Sequence, residues 1–161
     1  MSIQIGETAP AFTLFSSDKK PVSLSDYNGK KVLLLFFPLA YTSVCTEELC
    51  SVRDQLSVYN SANAEVLGIS VDSLFVLDKY KTDQQLNFEL LSDFNKEVSE
   101  SYGVLYDTFP AFGMKGVSKR AAFLIDEEGL VQYAEVCASP GDQPNFQEIL
   151  SKLNQSSTNA S

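Results

Sequence analysis

The stretch KVLLLFF, residues 31–37, contains six consecutive apolar residues after a lysine. An apolar run without alternation is typical of a strand that is buried on both faces of its sheet. A strand of this kind needs other layers of structure packed above and below it. The run therefore predicts the central strand of a layered domain.

Strand and helix patterns alternate along the rest of the chain. The strand patterns lie at 64–72 and 88–93, the helix patterns at 73–85, 95–103 and 143–153, and a hairpin pattern at 120–136. This order predicts an α/β domain, and its sheet should be mixed because a tight turn joins the last two strands. Functional sites in such sheets lie beyond the carboxyl ends of the strands. We therefore expect a functional site directly after residue 37.

The segment after residue 42 has the pattern of a helix with one buried stripe. Its apolar side chains recur in steps of four, three, four and three residues, at Cys45, Leu49, Val52, Leu56 and Tyr59. This spacing is typical of a helix that packs one face on a core. Thr42 or Ser43 can cap its start, which places Cys45 in the first turn.

The length and composition exclude several classes of protein. A chain of 161 residues predicts one domain, which we place at 1–154, followed by a disordered polar tail at 155–161. The net charge of −9 argues against a surface that binds nucleic acid or anionic membranes.

The start MSIQIGETAP lacks the features of a signal peptide, and the three cysteines are an odd number. Free thiols and a cytoplasmic location are expected.

Cys45 and Cys50 are spaced too widely for a C-x-x-C redox motif, and the chain contains no histidine. Ser-His-Asp and Cys-His catalysis are therefore excluded. A cysteine on an apolar helical stripe is commonly a core residue, but the first turn of a helix also favours a thiolate. A positive partner would strengthen that effect, and the only arginines are Arg53 and Arg120. Arg53 lies about 12 Å further along the helix, too far to pair with Cys45 directly. Arg120 could be close in space, but the sequence spacing alone does not choose between the two.

The pattern Pro38-x-x-x-Thr42-x-x-Cys45 resembles the active-site signature of peroxiredoxins, the alkyl hydroperoxide reductase and thiol-specific antioxidant group. The resemblance covers almost the whole chain and includes IGETAPAFTL, FFPLAYTSVCTEE, LGISVD, LLSDFN and KRAAFLIDEEG. It implies a thioredoxin-like fold and a peroxidase that reduces hydrogen peroxide and organic hydroperoxides. It implies no metal, flavin or haem cofactor.

The resemblance also implies a role for each site residue. Cys45 would be the peroxidatic cysteine, whose thiolate attacks peroxide and becomes a sulfenic acid. Thr42 would hydrogen-bond the sulfur and the peroxide, and Pro38 would shield them from water. Arg120 would stabilise the thiolate and the developing charge, and Glu48 would hold Arg120 in place.

The role of Cys50 depends on which subgroup the chain resembles. A cysteine five residues after the peroxidatic one is similar to the resolving cysteine of proteins related to bacterioferritin comigratory protein. The stretch FFPLAYTSVC is more similar to the one-cysteine subgroup related to alkyl hydroperoxide reductase E. We expect Cys50 to resolve Cys45 as an intramolecular disulfide, and a thioredoxin-type reductant to recycle it. Cys137 is expected to be a small apolar residue at a strand end.

Other functions and assemblies remain open from the sequence. A thiol–disulfide oxidoreductase would share the fold, although the C-x-x-x-x-C spacing counts against it. A redox-sensing or chaperone-like binding protein would also carry an oxidisable cysteine. The chain is expected to act as a monomer or a homodimer, with Tyr41 and the irregular segment at 104–118 either in a dimer contact or lining the site.

Overall fold

The computed structural model describes residues 3–110, 112–139 and 141–159, and only the backbone of residues 43, 44 and 154–159. Its strands are β1 Thr13–Ser16, β2 Pro21–Ser23, β3 Lys31–Phe36, β4 Ala64–Ser70, β5 Glu89–Ser92, β6 Ala121–Ile125 and β7 Val131–Val136. Its α-helices are α1 Ser43–Asp54, α2 Leu56–Ser61, α3 Leu74–Gln84, α4 Glu97–Ser101 and α5 Phe146–Asn159, with a short 3-10 helix at Leu24–Tyr27. The predicted α/β class is confirmed.

The seven strands form one sheet in the order β2-β1-β5-β4-β3-β6-β7. The three central strands β5, β4 and β3 run parallel, while β6 and β7 form an antiparallel hairpin beside β3. The predicted mixed sheet and terminal hairpin are therefore confirmed. Among the described residues, no helix is both long enough and apolar enough to cross a membrane.

Strand β3 lies at the centre of the molecule, and every one of its residues is buried. Leu33 and Leu35 face one apolar cluster, which includes residues of α1, α3 and α5. Leu34 and Phe36 face a second cluster on the opposite side of the sheet. The unbroken apolar run at 31–37 thus reflects burial on both faces, as the sequence predicts.

Three features differ from the sequence-based expectation. Strands β1 and β2 were not anticipated, because they are only four and three residues long and too short to show a clear alternating pattern. The helix that begins at residue 43 is interrupted at Gln55, where α1 ends and α2 starts, yet Cys45 and Tyr59 both remain buried. Helix α5 starts at Phe146 and continues to Asn159 rather than ending at 153. The division into a domain at 1–154 and a tail stays a prediction.

The sheet register explains how distant parts of the sequence meet. Phe36, the last residue of β3, lies opposite Ala121, the first residue of β6. Because these strands are antiparallel, Arg120 lies beside the loop that follows β3 and leads into α1. The parallel strand β4 ends at Ser70, on the same edge of the sheet.

Candidate active site

The loop between β3 and α1 is held by the segment that follows β4. The Ala40 N–H donates to Asp72 Oδ2 at 2.8 Å, and Ser70 Oγ donates to the same oxygen at 2.8 Å. Tyr41 has a φ of +68°, a left-handed conformation that a bulky residue rarely adopts. The Asp72 contact therefore helps to fix an unfavourable turn just before α1. Sequence reasoning did not identify Asp72 as a site residue.

Helix α1 begins as the sequence predicts, with Thr42 as its N-cap residue and Cys45 in the first turn. Pro38 and Cys45 are buried, and the Cys45 side chain has 0% exposure. The Thr42 hydroxyl donates to the Leu39 carbonyl oxygen at 2.9 Å and accepts no hydrogen bond from the described backbone of the helix, so Thr42 occupies the N-cap position without the side-chain cap. For Thr42 to donate to the sulfur or to a peroxide, as the resemblance implies, this hydrogen bond has to break.

Arg120, Glu48 and Cys45 meet in the interior. Arg120 Nη1 lies 3.3 Å from Glu48 Oε1, and the two side chains are only 2% and 0% exposed. The Arg120 guanidinium also hydrogen-bonds the Cys45 side chain. Cys45 and Glu48 are three residues apart on α1, so they share one face of the helix. The structure thus brings together the three residues that the sequence assigned to the reacting end of the site.

Burial acts in opposite directions on the pKa values of Glu48 and Arg120. It raises the pKa of Glu48 to about 7, although the charge and hydrogen bond of Arg120 oppose this rise. For Arg120, burial acts to lower the pKa, but the neighbouring Cys45 and Glu48 outweigh it and raise the pKa. Glu48 Oε2 is buried and has no hydrogen-bond partner among the described residues. The cluster therefore keeps a guanidinium cation next to the sulfur, with a carboxyl group that titrates near neutral pH.

Helix α3 packs beside the start of α1. Two tyrosines make the contacts: Tyr80 lies on α3, and Tyr41 lies in the loop that leads into α1. The Tyr80 hydroxyl shares a hydrogen bond of 2.9 Å with Thr46 Oγ1, and burial raises the pKa of Tyr80 to about 12. The Tyr41 and Tyr80 rings lie 4.8 Å apart, and Tyr41 donates to Asp83 Oδ2 at 2.8 Å. These contacts clamp the start of α1, and the sequence gave no signal for them because they join residues more than thirty positions apart.

Cys50 lies two turns after the start of α1, away from the buried stripe. It is partly exposed, and its thiol donates to Gln84 Oε1 of α3 at 3.6 Å. Cys45 and Cys50 are both free thiols. Since α1 is intact across both residues, about 8.5 Å separates their Cα atoms by helix geometry, beyond the roughly 7 Å that a disulfide tolerates.

Cys137 follows β7, and its N–H donates to the Arg120 carbonyl oxygen at 2.8 Å. Its side chain is buried, which raises the pKa of the Cys137 thiol to about 11, helped by the charges of Glu135 and Glu48. Cys137 is therefore a neutral thiol at physiological pH despite its position near Arg120. Among the described residues, no group of three or more histidine, cysteine and carboxylate side chains is arranged to hold a metal ion.

The segment at 104–118 is irregular apart from one bridge between Leu105 and Ser118. It includes residue 111, which lies outside the described residues. Burial raises the pKa of Tyr106 while the charge of Arg120 opposes this, so the segment reaches the edge of the site. Phe112, near the middle of the segment, is 93% exposed.

The buried cysteine, arginine and glutamate at this position of an α/β fold invite comparison with known proteins. The sequence profile of the AhpC/TSA family matches residues 5–134. The chain is a peroxiredoxin of this family. It is 45% identical over 133 residues to a protein named peroxiredoxin bcp in Coxiella burnetii, with 81% of this chain and 87% of the relative covered. A protein with the same name in Haemophilus influenzae is 42% identical over 130 residues, with 80% of this chain and 83% of that protein covered.

Solved structures agree with this assignment. The peroxiredoxin superposes on the crystal structure of peroxidoxin BcpB from Mycobacterium tuberculosis with a TM-score of 0.83 and 27% identity. That superposition covers 95% of this chain and 97% of the other. The predicted thioredoxin-like fold and the predicted family are confirmed. Membership makes the chain a thiol-dependent peroxidase, which uses a peroxide and a thiol reductant.

Proposed function

We propose that Cys45 is the peroxidatic residue and that the cycle passes through a sulfenic acid and a Cys45–Cys50 disulfide. The observation that carries this proposal is the buried contact of Arg120 with both Cys45 and Glu48. A guanidinium held in a buried site interacts far more strongly with a nearby anion than it would at the surface. It therefore favours a thiolate at Cys45 and the negative charge that develops on the peroxide.

In the first step, the Cys45 thiolate attacks the terminal oxygen of the peroxide. An S–O bond forms while the O–O bond breaks, the sulfur is oxidised to a sulfenic acid, and the departing oxygen takes up a proton to leave as an alcohol or water. Arg120 stabilises the sulfur before the attack and the peroxide oxygens during it. Glu48 keeps the guanidinium in place through its Oε1 contact of 3.3 Å.

Pro38 and Thr42 control access to this sulfur. Cys45 has 0% exposure, so a peroxide reaches it only when the loop at 38–42 shifts. That shift releases the Thr42 hydroxyl from the Leu39 carbonyl, and the hydroxyl can then donate to the peroxide. Pro38 is buried in the resting protein, and we assign it the exclusion of water from the sulfur before peroxide binds.

In the second step, Cys50 attacks the Cys45 sulfenic acid, an S–S bond forms, and the S–O bond breaks to release water. The first turns of α1 have to unwind for this step, because the intact helix keeps the two cysteines too far apart. An exposed disulfide in an unwound segment is accessible to a thioredoxin-type reductant. Reduction then returns both thiols and lets α1 reform.

A turnover assay tests this proposal against the two other function classes. Peroxide consumption that requires Cys45 and a thioredoxin system supports the proposed cycle. Insulin reduction without peroxide use would instead indicate a thiol–disulfide oxidoreductase. Absence of both activities, together with oxidation-dependent binding of another protein, would indicate a redox sensor.

A further inference from the structure

The Cys50 end of α1 is attached to the C-terminal end of α3 through one residue, Gln84. The Cys50 thiol donates to Gln84 Oε1 at 3.6 Å, and Arg53 Nη1 donates to the Gln84 carbonyl oxygen at 2.6 Å. The Arg53 carbonyl oxygen in turn accepts from Asn87 Nδ2 at 3.3 Å. The Arg53 side chain therefore binds the end of α3, and its backbone binds the segment that follows α3. Cys50 contacts the same Gln84 residue.

The position of Gln84 gives this arrangement an electrostatic meaning. Gln84 is the last residue of α3, so its carbonyl oxygen is one of those that lack a partner within the helix. The end of a helix carries a partial negative charge, which disfavours an anion nearby. Cys50 contacts the side chain of the residue at this end, and the Arg53 guanidinium binds the carbonyl that presents the negative charge.

Arg53 and Cys50 both contact Gln84, so the guanidinium lies near the Cys50 sulfur and its positive charge can act on it. The Arg53 side chain remains 28% exposed, so the interaction is partly screened by water. An effect of several-fold on the chemistry of Cys50, rather than of several orders of magnitude, is expected.

We propose that Arg53 is a positioning residue for the resolving step, which holds the Cys50 end of α1 on α3 and places its positive charge near the Cys50 sulfur. This inference rests on the proposed function, in which Cys50 attacks the sulfenic acid of Cys45. When residues 43–50 unwind, the Arg53 contacts keep the end of α1 on α3, so that Cys50 stays next to this anchored end while Cys45 moves towards it. The proton lost by Cys50 is balanced by the one that the departing hydroxide takes up to become water.

The first experiment measures the reactivity of Cys50 without any peroxide. In a Cys45→Ser/Cys137→Ser background, Cys50 is the only thiol, and its alkylation by iodoacetamide is followed from pH 6 to pH 10. Arg53→Gln is expected to slow alkylation at neutral pH about fivefold, because it removes a positive charge near the Cys50 sulfur. Arg53→Lys keeps the charge and should recover most of the rate. Lys30→Gln, which removes one positive charge from an exposed ion pair with Glu65, should leave the profile unchanged.

This measurement separates the proposal from a purely structural role of Arg53. If Arg53 only caps α3, the Arg53→Gln variant will melt at a lower temperature but its alkylation profile will superimpose on that of the parent, which overturns the proposal. If Arg53→Gln does not fold, Arg53→Met, which keeps a long side chain across α3, takes its place with the same expectation.

The second experiment follows the full chain after one equivalent of hydrogen peroxide by rapid quenching and mass analysis. Oxidation of Cys45 reports on the first step, and disulfide formation reports on the second. Arg53→Gln is expected to slow disulfide formation about fivefold relative to the oxidation of Cys45. An unchanged ratio of the two rates would overturn the proposal. If no peroxide is consumed even by the parent chain, the proposed function fails, while the alkylation result still decides whether Arg53 acts on Cys50.

Discussion

Arg120 and Glu48 face each other inside the protein, with 3.3 Å between Nη1 and Oε1 and almost no solvent contact for either side chain. Arg120 immediately precedes β6 and Glu48 lies in α1, so the two residues are seventy-two positions apart. Burying two such groups is costly, and the cost is offset only while both partners are present. Under the proposed mechanism, the pair therefore links peroxide chemistry, stability and pH dependence in this protein.

The assignment of Cys45 predicts different outcomes for serine substitutions at two buried cysteines. Cys45→Ser should abolish peroxide consumption, because only Cys45 combines the helix start with the Arg120 contact. Cys137→Ser should retain most of the activity, since burial keeps the Cys137 thiol protonated at neutral pH with a pKa of about 11. A peroxide-consumption assay with both variants checks this, and wild-type turnover in Cys45→Ser would contradict the assignment.

Arg120→Ala should slow the attack on peroxide by at least an order of magnitude, which corresponds to about 1.4 kcal/mol of barrier. Arg120 lies next to the Cys45 sulfur, so its removal takes away the positive charge that stabilises the attacking sulfur and the peroxide. Stopped-flow rates of peroxide attack measure this effect. Since Glu48 would be left buried and alone at a cost of roughly 3–5 kcal/mol in stability, Arg120→Ala/Glu48→Gln is the better-folded companion variant.

The control for this prediction is Arg53→Ala, which removes the other arginine of the chain. Its Nη1 binds the Gln84 carbonyl at the far end of α3, so a smaller effect on the first step is expected. Equal losses of the peroxide-attack rate in the two variants would contradict the specific role assigned to Arg120.

Glu48 predicts a pH dependence of stability with a definite sign. Burial raises the pKa of Glu48 from 4.5 to about 7, so the folded protein binds this proton more tightly than the unfolded chain does. The resulting contribution favours folding below pH 4.5 and is lost as the pH rises through about 7. It amounts to roughly 3 kcal/mol.

Glu48→Gln removes this titration, so its free energy of unfolding should fall less than that of the wild type between pH 4.5 and pH 7. Urea denaturation at a series of pH values measures the difference. Glu47→Gln, the exposed neighbour, is the matched control and should leave the pH dependence as it is. Parallel curves for the wild type and Glu48→Gln would contradict the assignment of a titrating buried carboxyl group.

The resolving step predicts that α1 unwinds at its start when the disulfide forms. Hydrogen exchange with peptide mapping should show faster exchange across residues 43–50 in the oxidised protein than in the reduced protein. Tyr80→Phe removes the hydrogen bond to Thr46 and should speed disulfide formation up to about fivefold, the equivalent of roughly 1 kcal/mol. Tyr59→Phe, which loses the same atom on α2, is the control. Unchanged exchange in protein with a mapped bridge would contradict the unwinding.

The sequence predicted those parts of the structure that depend on local patterns. The apolar run of β3 and the stripe from Cys45 to Tyr59 follow from periodicity alone. The place of Arg120 before a late strand followed from the resemblance to peroxiredoxins, and the antiparallel register of β3 and β6 explains it. In each case, the residues that carry the signal lie close together or in a specific motif.

The contacts that hold the site in shape could not be predicted in this way. Asp72 supports the loop before α1 through Ala40, and Tyr80 supports α1 through Thr46. Both are single polar contacts between segments whose relative position depends on the whole sheet. The interruption between α1 and α2 at Gln55 could not be predicted either, because the apolar residues keep their helical spacing across it.

The most direct test of the central claim is intact-mass analysis with peptide mapping after one equivalent of hydrogen peroxide, in the wild type, Cys45→Ser and Cys50→Ser. The wild type should lose two hydrogen atoms and yield a Cys45–Cys50 bridge. Cys50→Ser should gain one oxygen atom at Cys45, and Cys45→Ser should remain unchanged. A wild type that instead gains oxygen at Cys45 while Cys50 stays a free thiol would contradict the account, and the peroxiredoxin would then be a one-cysteine enzyme resolved by an external thiol.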